Sequence, residues 1–232
     1  MRAKIILMLL VLLVSLTFAS DRNLPGGDET PVAQVKKIIK NVEFRDRTES
    51  EWLPAKVSTP LYDGGQVKTD AKSVAVILFT DGSGLLRVRE NSILNVYAEI
   101  KNRKMNKNTY IDRGSVSFDV KKQEDEEFKF TTPTAVASIR GTSGLFDVVD
   151  NGESTMILET GSVELETKTG KKVSLTAGYT ASFDRQGNAN VVPSSEEDKK
   201  KLAQGKSLTT KKVIIKTKFG DVEVEYFPDE NK

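Results

Sequence analysis

From Val32 to Val192 short runs of the chain alternate apolar and polar residues, the period-two pattern of half-buried strands. Val74, Val76 and Leu78 alternate, as do Val116, Phe118 and Val120, and further on Phe128 with Phe130, Val163 with Leu165 and Val173 with Leu175. β-branched and aromatic residues crowd these runs, as a pleated surface favours. Asp81-Gly82, Asn151-Gly152, Thr169-Gly170 and Gln186-Gly187-Asn188 punctuate them, and such pairs supply the positive φ angles of tight hairpins. The pattern predicts an all-β body over 32–192, either an antiparallel β-sandwich or a short β-solenoid of stacked hairpins. No helix-period segment of useful length interrupts it, which argues against a parallel α/β sheet.

The flanks follow other rules. Arg2 and Lys4 precede a twelve-residue run, Ile5 to Leu16, apolar but for Ser15, and Thr17-Phe18-Ala19 then offers small residues at the −3 and −1 positions. Residues 1–19 therefore read as a cleaved signal peptide, the alternative being an uncleaved anchor. The run is short of the ~20 residues that span a bilayer, so no transmembrane segment is expected in the mature chain. No Cys follows it for lipid attachment. Residues 20–31, SDRNLPGGDETP, read as a flexible linker. Over 193–210 the spacing of Ser194 and Glu197 suggests a capping box, with a short helix over Glu196 to Gln204 that stops at Gly205. Residues 211–232 contain two alternating runs around Phe219-Gly220-Asp221, a terminal β-hairpin expected to pack on the main body, since a lone hairpin is marginal in water.

Two segments stand out. DRGSVSFDVK, Asp112 to Lys121, is echoed by ETGSVELETK, Glu159 to Lys168. The echo reads either as equivalent strands stacked in successive layers or as two similar exits into a strand. In TPTAVASIRGT, Thr132 to Thr142, alternation puts Ala135, Ala137, Ile139 and Gly141 on one face, and Thr134, Val136, Ser138 and Arg140 on the other. Small residues on one face imply close approach of another layer.

Composition removes much chemistry. The chain has 232 residues, no His and no Cys, so a Ser-His-Asp triad, a thiol nucleophile, thiol redox chemistry and an ordinary zinc site are all excluded. No disulfide is possible, and a sizeable core must carry the fold. The chain holds 35 Lys and Arg against 33 Asp and Glu, and without Arg2 and Lys4 the two counts are equal at 33. That balance argues against a nucleic-acid partner, which calls for a basic excess.

TPTAVASIRGT resembles the hallmark of the FecR protein domain, a Thr-Pro and small-residue strand leading into Arg-Gly-Thr. Upstream, Trp52 to Val96 is similar to that family's opening half, with Trp52-Leu53-Pro54-Ala55, Asp81-Gly82-Ser83 and Ser92-Ile93-Leu94 in matching order. Downstream, Gly161-Ser162-Val163 and Leu175-Thr176-Ala177-Gly178 resemble its closing strands. The likeness runs from about Val35 to Val192; Gly65 departs from it, standing where the family often has Asp. It implies an all-β fold and a binding or scaffolding role in the envelope. Some members are transmembrane regulators of a sigma factor, but the cytoplasmic domain and spanning helix that role needs do not appear in this sequence, so the role is not carried over. Val213 to Glu230 weakly resembles the opening hairpin of cyclophilin-type isomerases, without that family's catalytic residues.

The expectation is an exported, non-enzymatic binding or scaffolding module, periplasmic or extracellular, possessing no cofactor, metal or catalytic site. Its partner would be an envelope protein or an anionic polymer. Arg140 is the first candidate contact, for a carboxylate or phosphate, its alternative role being to tie strand ends through backbone carbonyls. Lys101, Arg103, Lys104 and Lys107 follow, as a basic loop or simply a solvated hairpin tip. Trp52 and Tyr62 are candidates for stacking on sugar or for covering a core edge. The competing class is a carbohydrate-active enzyme with paired carboxylates, which would show two carboxyl groups facing across a cleft.

Overall fold

The computed structural model describes residues 30–46, 51–102, 104–122, 126–208, 211–218 and 220–226. The described fold lies within the compact unit Pro31–Lys232. The first eight strands are β1 (Ala33–Ile39), β2 (Val42–Arg45), β3 (Leu53–Pro54), β4 (Pro60–Leu61), β5 (Gly65–Thr69), β6 (Val74–Phe79), β7 (Gly84–Val88) and β8 (Ile93–Lys101). A long strand, β9 (Lys104–Val120), follows. Then come β10 (Phe128–Thr131), β11 (Ala135–Ile139), β12 (Ser143–Val148), β13 (Ser154–Thr160), β14 (Ser162–Thr167), β15 (Lys172–Thr176), β16 (Tyr179–Phe183) and β17 (Ala189–Pro193). Helix α1 (Glu196–Lys206) and a hairpin of β18 (Lys211–Thr217) and β19 (Gly220–Tyr226) close the chain.

The strands form two layers joined through β9. The first sheet runs β4-β1-β6-β7-β9-β12-β13-β16-β17, antiparallel throughout. The second runs β3-β2-β5-β8-β9-β10-β11-β14-β15, antiparallel except where β9 meets β10. Residues 104–113 of β9 belong to the second sheet and 114–120 to the first. From β10 onward successive hairpins alternate between layers, so the sandwich is built by stacking hairpins, and the all-β expectation holds.

The core lies between the sheets. Phe118 and Phe146 of the first sheet meet Phe130 of the second at ring-centroid distances of 4.8 and 5.5 Å, and Phe79 meets Phe128 edge-on at 5.0 Å. Around them Ile77, Leu86, Leu94, Ile111 and Leu165 are fully buried. Ala135, Ala137 and Ile139 face inward while Val136, Ser138 and Arg140 face out, the phase that their alternation predicts. In β6 the phase is the reverse of the row singled out from sequence. Ala75, Ile77 and Phe79 point into the core, and Val74, Val76 and Leu78 lie on the outer face. Both rows of VAVILF are apolar, so alternation alone does not choose between them.

The sequence echo marks two exits into strands, not two stacked strands. Ser115 to Val120 continues β9 in the first sheet, whereas Ser162 to Thr167 is β14 in the second. What the copies share is a glycine, Gly114 or Gly161, at a point where the chain passes between layers.

Helix α1 is shifted by one residue from the expected cap and extends past the expected stop. Ser195 is the N-cap: Asp198 N–H donates to Ser195 Oγ at 3.1 Å, and Ser195 N–H donates to the Asp198 carboxylate at 2.9 Å. Gly205 lies within the helix because it is needed there. A side chain at that position would run into Leu145 of β12, and Ser117 Oγ donates to the Gly205 carbonyl at 2.9 Å. Leu202 packs with Leu145 and Ile157, covering part of the first sheet's outer face. We expect Leu202→Ala to cost about 2 kcal/mol, at the low end for a buried leucine, measured by urea denaturation with strand structure intact.

The terminal hairpin pairs with itself, in register Ile215↔Val222 and Lys216↔Asp221. Ile214, Ile215 and Val222 are 61%, 48% and 49% exposed, in contrast to the expected packing on the body. Cross-strand pairs of β-branched and oppositely charged residues supply its local stabilisation.

Candidate functional site

The segment expected to be a basic loop is two strands. β8 and β9 pair through to Lys101↔Lys104, and Asn102 takes the left-handed conformation of a tight turn at φ 52°. Lys101 and Lys104 are exposed at this tip; Arg103 lies outside the described residues. Lys107 is a correction to the surface patch. Period two turns it inward, its side chain is 0% exposed, and its ammonium lies 2.6 Å from Asp81 Oδ2 and 3.1 Å from Glu126 Oε2. It also donates to the Met105 carbonyl at 2.6 Å and lies over the Phe128 ring. Burying an ammonium requires such partners. Desolvation acts most strongly on Asp81 and pushes its pKa up, but the hydrogen bonds from Lys107 and Ser83 outweigh it, so the carboxyl sits below its usual 3.8.

Arg140 is exposed at the exit of β11. The ladder Lys107–Phe128–Ile139 places it one step beyond the last paired row of the second sheet. There it borders a hollow of about 190 Å³ with Glu126, Glu127, Lys129 and Ser138. Two carboxylates thus stand among its cations, and Lys129 is held to Glu127 at 2.6 Å. The structure brings Arg140 to the same end of the sheet as Lys107 but faces the two differently.

A larger hollow of about 450 Å³ opens beside the first sheet, with Leu78, Leu85 and Val120 as its apolar part and Asp119, Thr142 and Ser143 as its polar part. Arg87 meets Asp119 at 2.5 Å, and Lys206 of α1 reaches Asp119 at 3.6 Å and also bridges to Glu159. Ser143 Oγ donates to Glu159 at 2.7 Å. Desolvation is the strongest influence on Glu159 and raises its pKa, yet the hydrogen bonds from Lys206 and Ser143 prevail, so the carboxyl titrates below its usual value. A general acid for glycoside cleavage needs the opposite shift. This carboxylate pair is therefore an ion-pair network.

Trp52 does not offer a free ring. Arg45 Cζ lies 4.6 Å and Lys68 Nζ 4.9 Å from its centroid, so two cations occupy it, and Lys68 also pairs with Glu43. A surface that escaped the sequence reading lies beside it. On the second sheet's outer face, the ladders align Gln66, Asn95, Tyr110 and Thr131 in one cross-strand row. Tyr97, Asn108 and Lys129 form the next. Asn95 Nδ2 donates to the Tyr97 hydroxyl at 3.1 Å, and Thr131 Oγ1 donates to Asn108 Oδ1 at 2.8 Å. Burial first, then Asp112 and Tyr97, push the Tyr110 hydroxyl above its usual pKa of 10 and keep it a donor. The signal was available in Asn95-x-Tyr97 and Asn106-x-Asn108-x-Tyr110, where polar and aromatic residues recur with the strand period.

Residues 65–164 match the family model for the FecR protein. The matched span starts at β5 and ends within β14, inside the longer stretch whose motifs resemble the family. No curated protein matches the chain. Two crystal structures, at 1.65 and 2.50 Å resolution, of a candidate anti-sigma factor from Parabacteroides distasonis ATCC 8503 are similar at 15% identity and a TM-score of 0.49. Each alignment covers 58% of this chain, which spans 61% of the length of that one.

Proposed function

We propose that the protein is an exported, non-enzymatic FecR-domain module that binds or scaffolds a component of the cell envelope, in the periplasm or outside the cell, as part of envelope signalling. The observation that carries this reading is the FecR match over residues 65–164. The signal-peptide pattern over 1–19 supports export. The ion-paired state of Asp119 and Glu159 favours contact over carboxylate catalysis. Loops and edges at the strand ends supply the contacts, with Arg140, Lys101 and Lys104 the proposed polar contributors. Affinity capture from envelope extracts tests it. The wild-type chain is expected to retain a specific component that Arg140→Ala or the Lys101→Ser, Lys104→Ser double variant retains less well. Absence of any specifically retained component, or substrate turnover by the purified chain, would overturn the reading.

A further inference from the structure

We propose that the outer face of the second sheet binds a neutral polysaccharide, laid across β5, β8, β9 and β10 and stacked on Tyr97 and Tyr110. This rests on the reading of the chain as a binding module and names a ligand class and surface for it. Tyr97 is 40% exposed, and Asn95, Asn108, Tyr110 and Thr131 are half-exposed on the same face. Strands are ~4.8 Å apart and alternate residues ~6.7 Å apart along a strand, so the two rows make a flat platform about 15 Å wide across four strands.

Its chemistry selects the ligand. Several charges on this face are paired, Lys129 with Glu127 at 2.6 Å, Lys68 with Glu43, and Lys172 with Glu164 at 3.6 Å on the far side, while exposed Asp112 beside Tyr110 adds negative charge that disfavours an anionic polymer. A charged polymer gains little from such a surface. The central strands are hydrogen-bonded on both sides, so a peptide finds no open edge for strand addition. The hollow that adjoins this face at Lys129 is small and lined largely by charged side chains, a poor seat for the buried anchors on which protein interfaces depend. A pyranose instead presents an apolar C–H face to a tyrosine ring and equatorial hydroxyls to side-chain amides, and each amide both donates and accepts. The Asn95–Tyr97 and Thr131–Asn108 hydrogen bonds orient these groups before any ligand arrives, which lowers the ordering cost of binding.

Affinity gel electrophoresis of the exported chain in hydroxyethyl cellulose, laminarin or dextran tests this, with polygalacturonate as the anionic comparison. Retardation is expected in at least one neutral gel. Tyr97→Ala and Asn108→Ala should each weaken it about tenfold, roughly 1.4 kcal/mol, without lowering the melting temperature. Lys200→Ser, exposed on α1, should leave it unchanged. No retardation in the three neutral gels, retardation in polygalacturonate alone, or full retardation of Tyr97→Ala would each overturn the proposal. Envelope capture through Arg140 would survive those outcomes, so the two readings fail separately.

Discussion

Gly114→Ala is expected to cost about 4 kcal/mol or more, in the range where single substitutions become exceptional, and at 37 °C to leave little folded protein. Gly114 has φ +93°, and an added Cβ would stand 2.5 Å from Ser92 Cα and closer still to its hydroxyl. Ser92 cannot retreat. It is fully buried, its hydroxyl accepts from Ser115 N–H at 3.1 Å, and its N–H donates to Thr69 Oγ1 at 3.1 Å. The position is also where β9 leaves one sheet for the other, so a shift there disturbs Arg113↔Ile93 on one side and Val116↔Val88 on the other. Gly170→Ala is the internal control. Gly170 has φ +81° with nothing within 4 Å of the added carbon, so it bears only the backbone penalty, about 1 kcal/mol. Guanidinium denaturation of the two variants separates close approach from conformational strain. Equal losses would mean that the sheet crossing yields easily and carries no special constraint.

That crossing shows what the sequence discloses and what it hides. Strand content, the hairpin turns and the inward phase of Val116-x-Phe118-x-Val120 are local patterns, and local patterns are legible. Which layer a strand joins is not local: Ser115 and Ser162 follow similar glycines yet enter different sheets. In β6 both rows are apolar because the outer row also lies against covered surface, and periodicity carries no sign. The burial of Lys107 is hidden from the sequence for a related reason. A lysine near a hairpin tip reads as solvated, and only the approach of Asp81 from the β6–β7 turn and of Glu126 from before β10 makes an interior position tolerable. Gly205 reads as a helix stop until the sheet beneath it explains why a side chain is excluded. The tyrosine and amide rows assemble from four strands spread between residues 66 and 131, so their members are visible singly and their alignment only in the register.

The buried ion group yields the second large effect, and its signature is asymmetry. Asp81→Asn should cost about 3 kcal/mol at neutral pH, the order found when a buried charge loses its partner. It leaves an ammonium with 0% side-chain exposure facing a neutral amide, with Glu126 its remaining carboxylate partner among the described residues. Lys107→Met should cost less, about 1 kcal/mol, because its unbranched stem keeps the Phe128 contact and Asp81, 25% exposed, retains water and the Ser83 hydrogen bonds at 2.9 and 2.7 Å. Adding Lys107→Met to Asp81→Asn should then restore part of the loss, since no buried charge is left alone. The acid limb gives a second reading. Because the folded carboxyl titrates below the ordinary 3.8, its contribution is complete above that pH and disappears as the pH falls through the folded value. Wild type should therefore lose stability below about pH 4 more steeply than Asp81→Asn, converging on it at the acid end. Urea denaturation from pH 7 to pH 2 measures both effects. Parallel curves, or a Lys107→Met loss as large as that of Asp81→Asn, would show that the lysine is held by packing and not by its carboxylates.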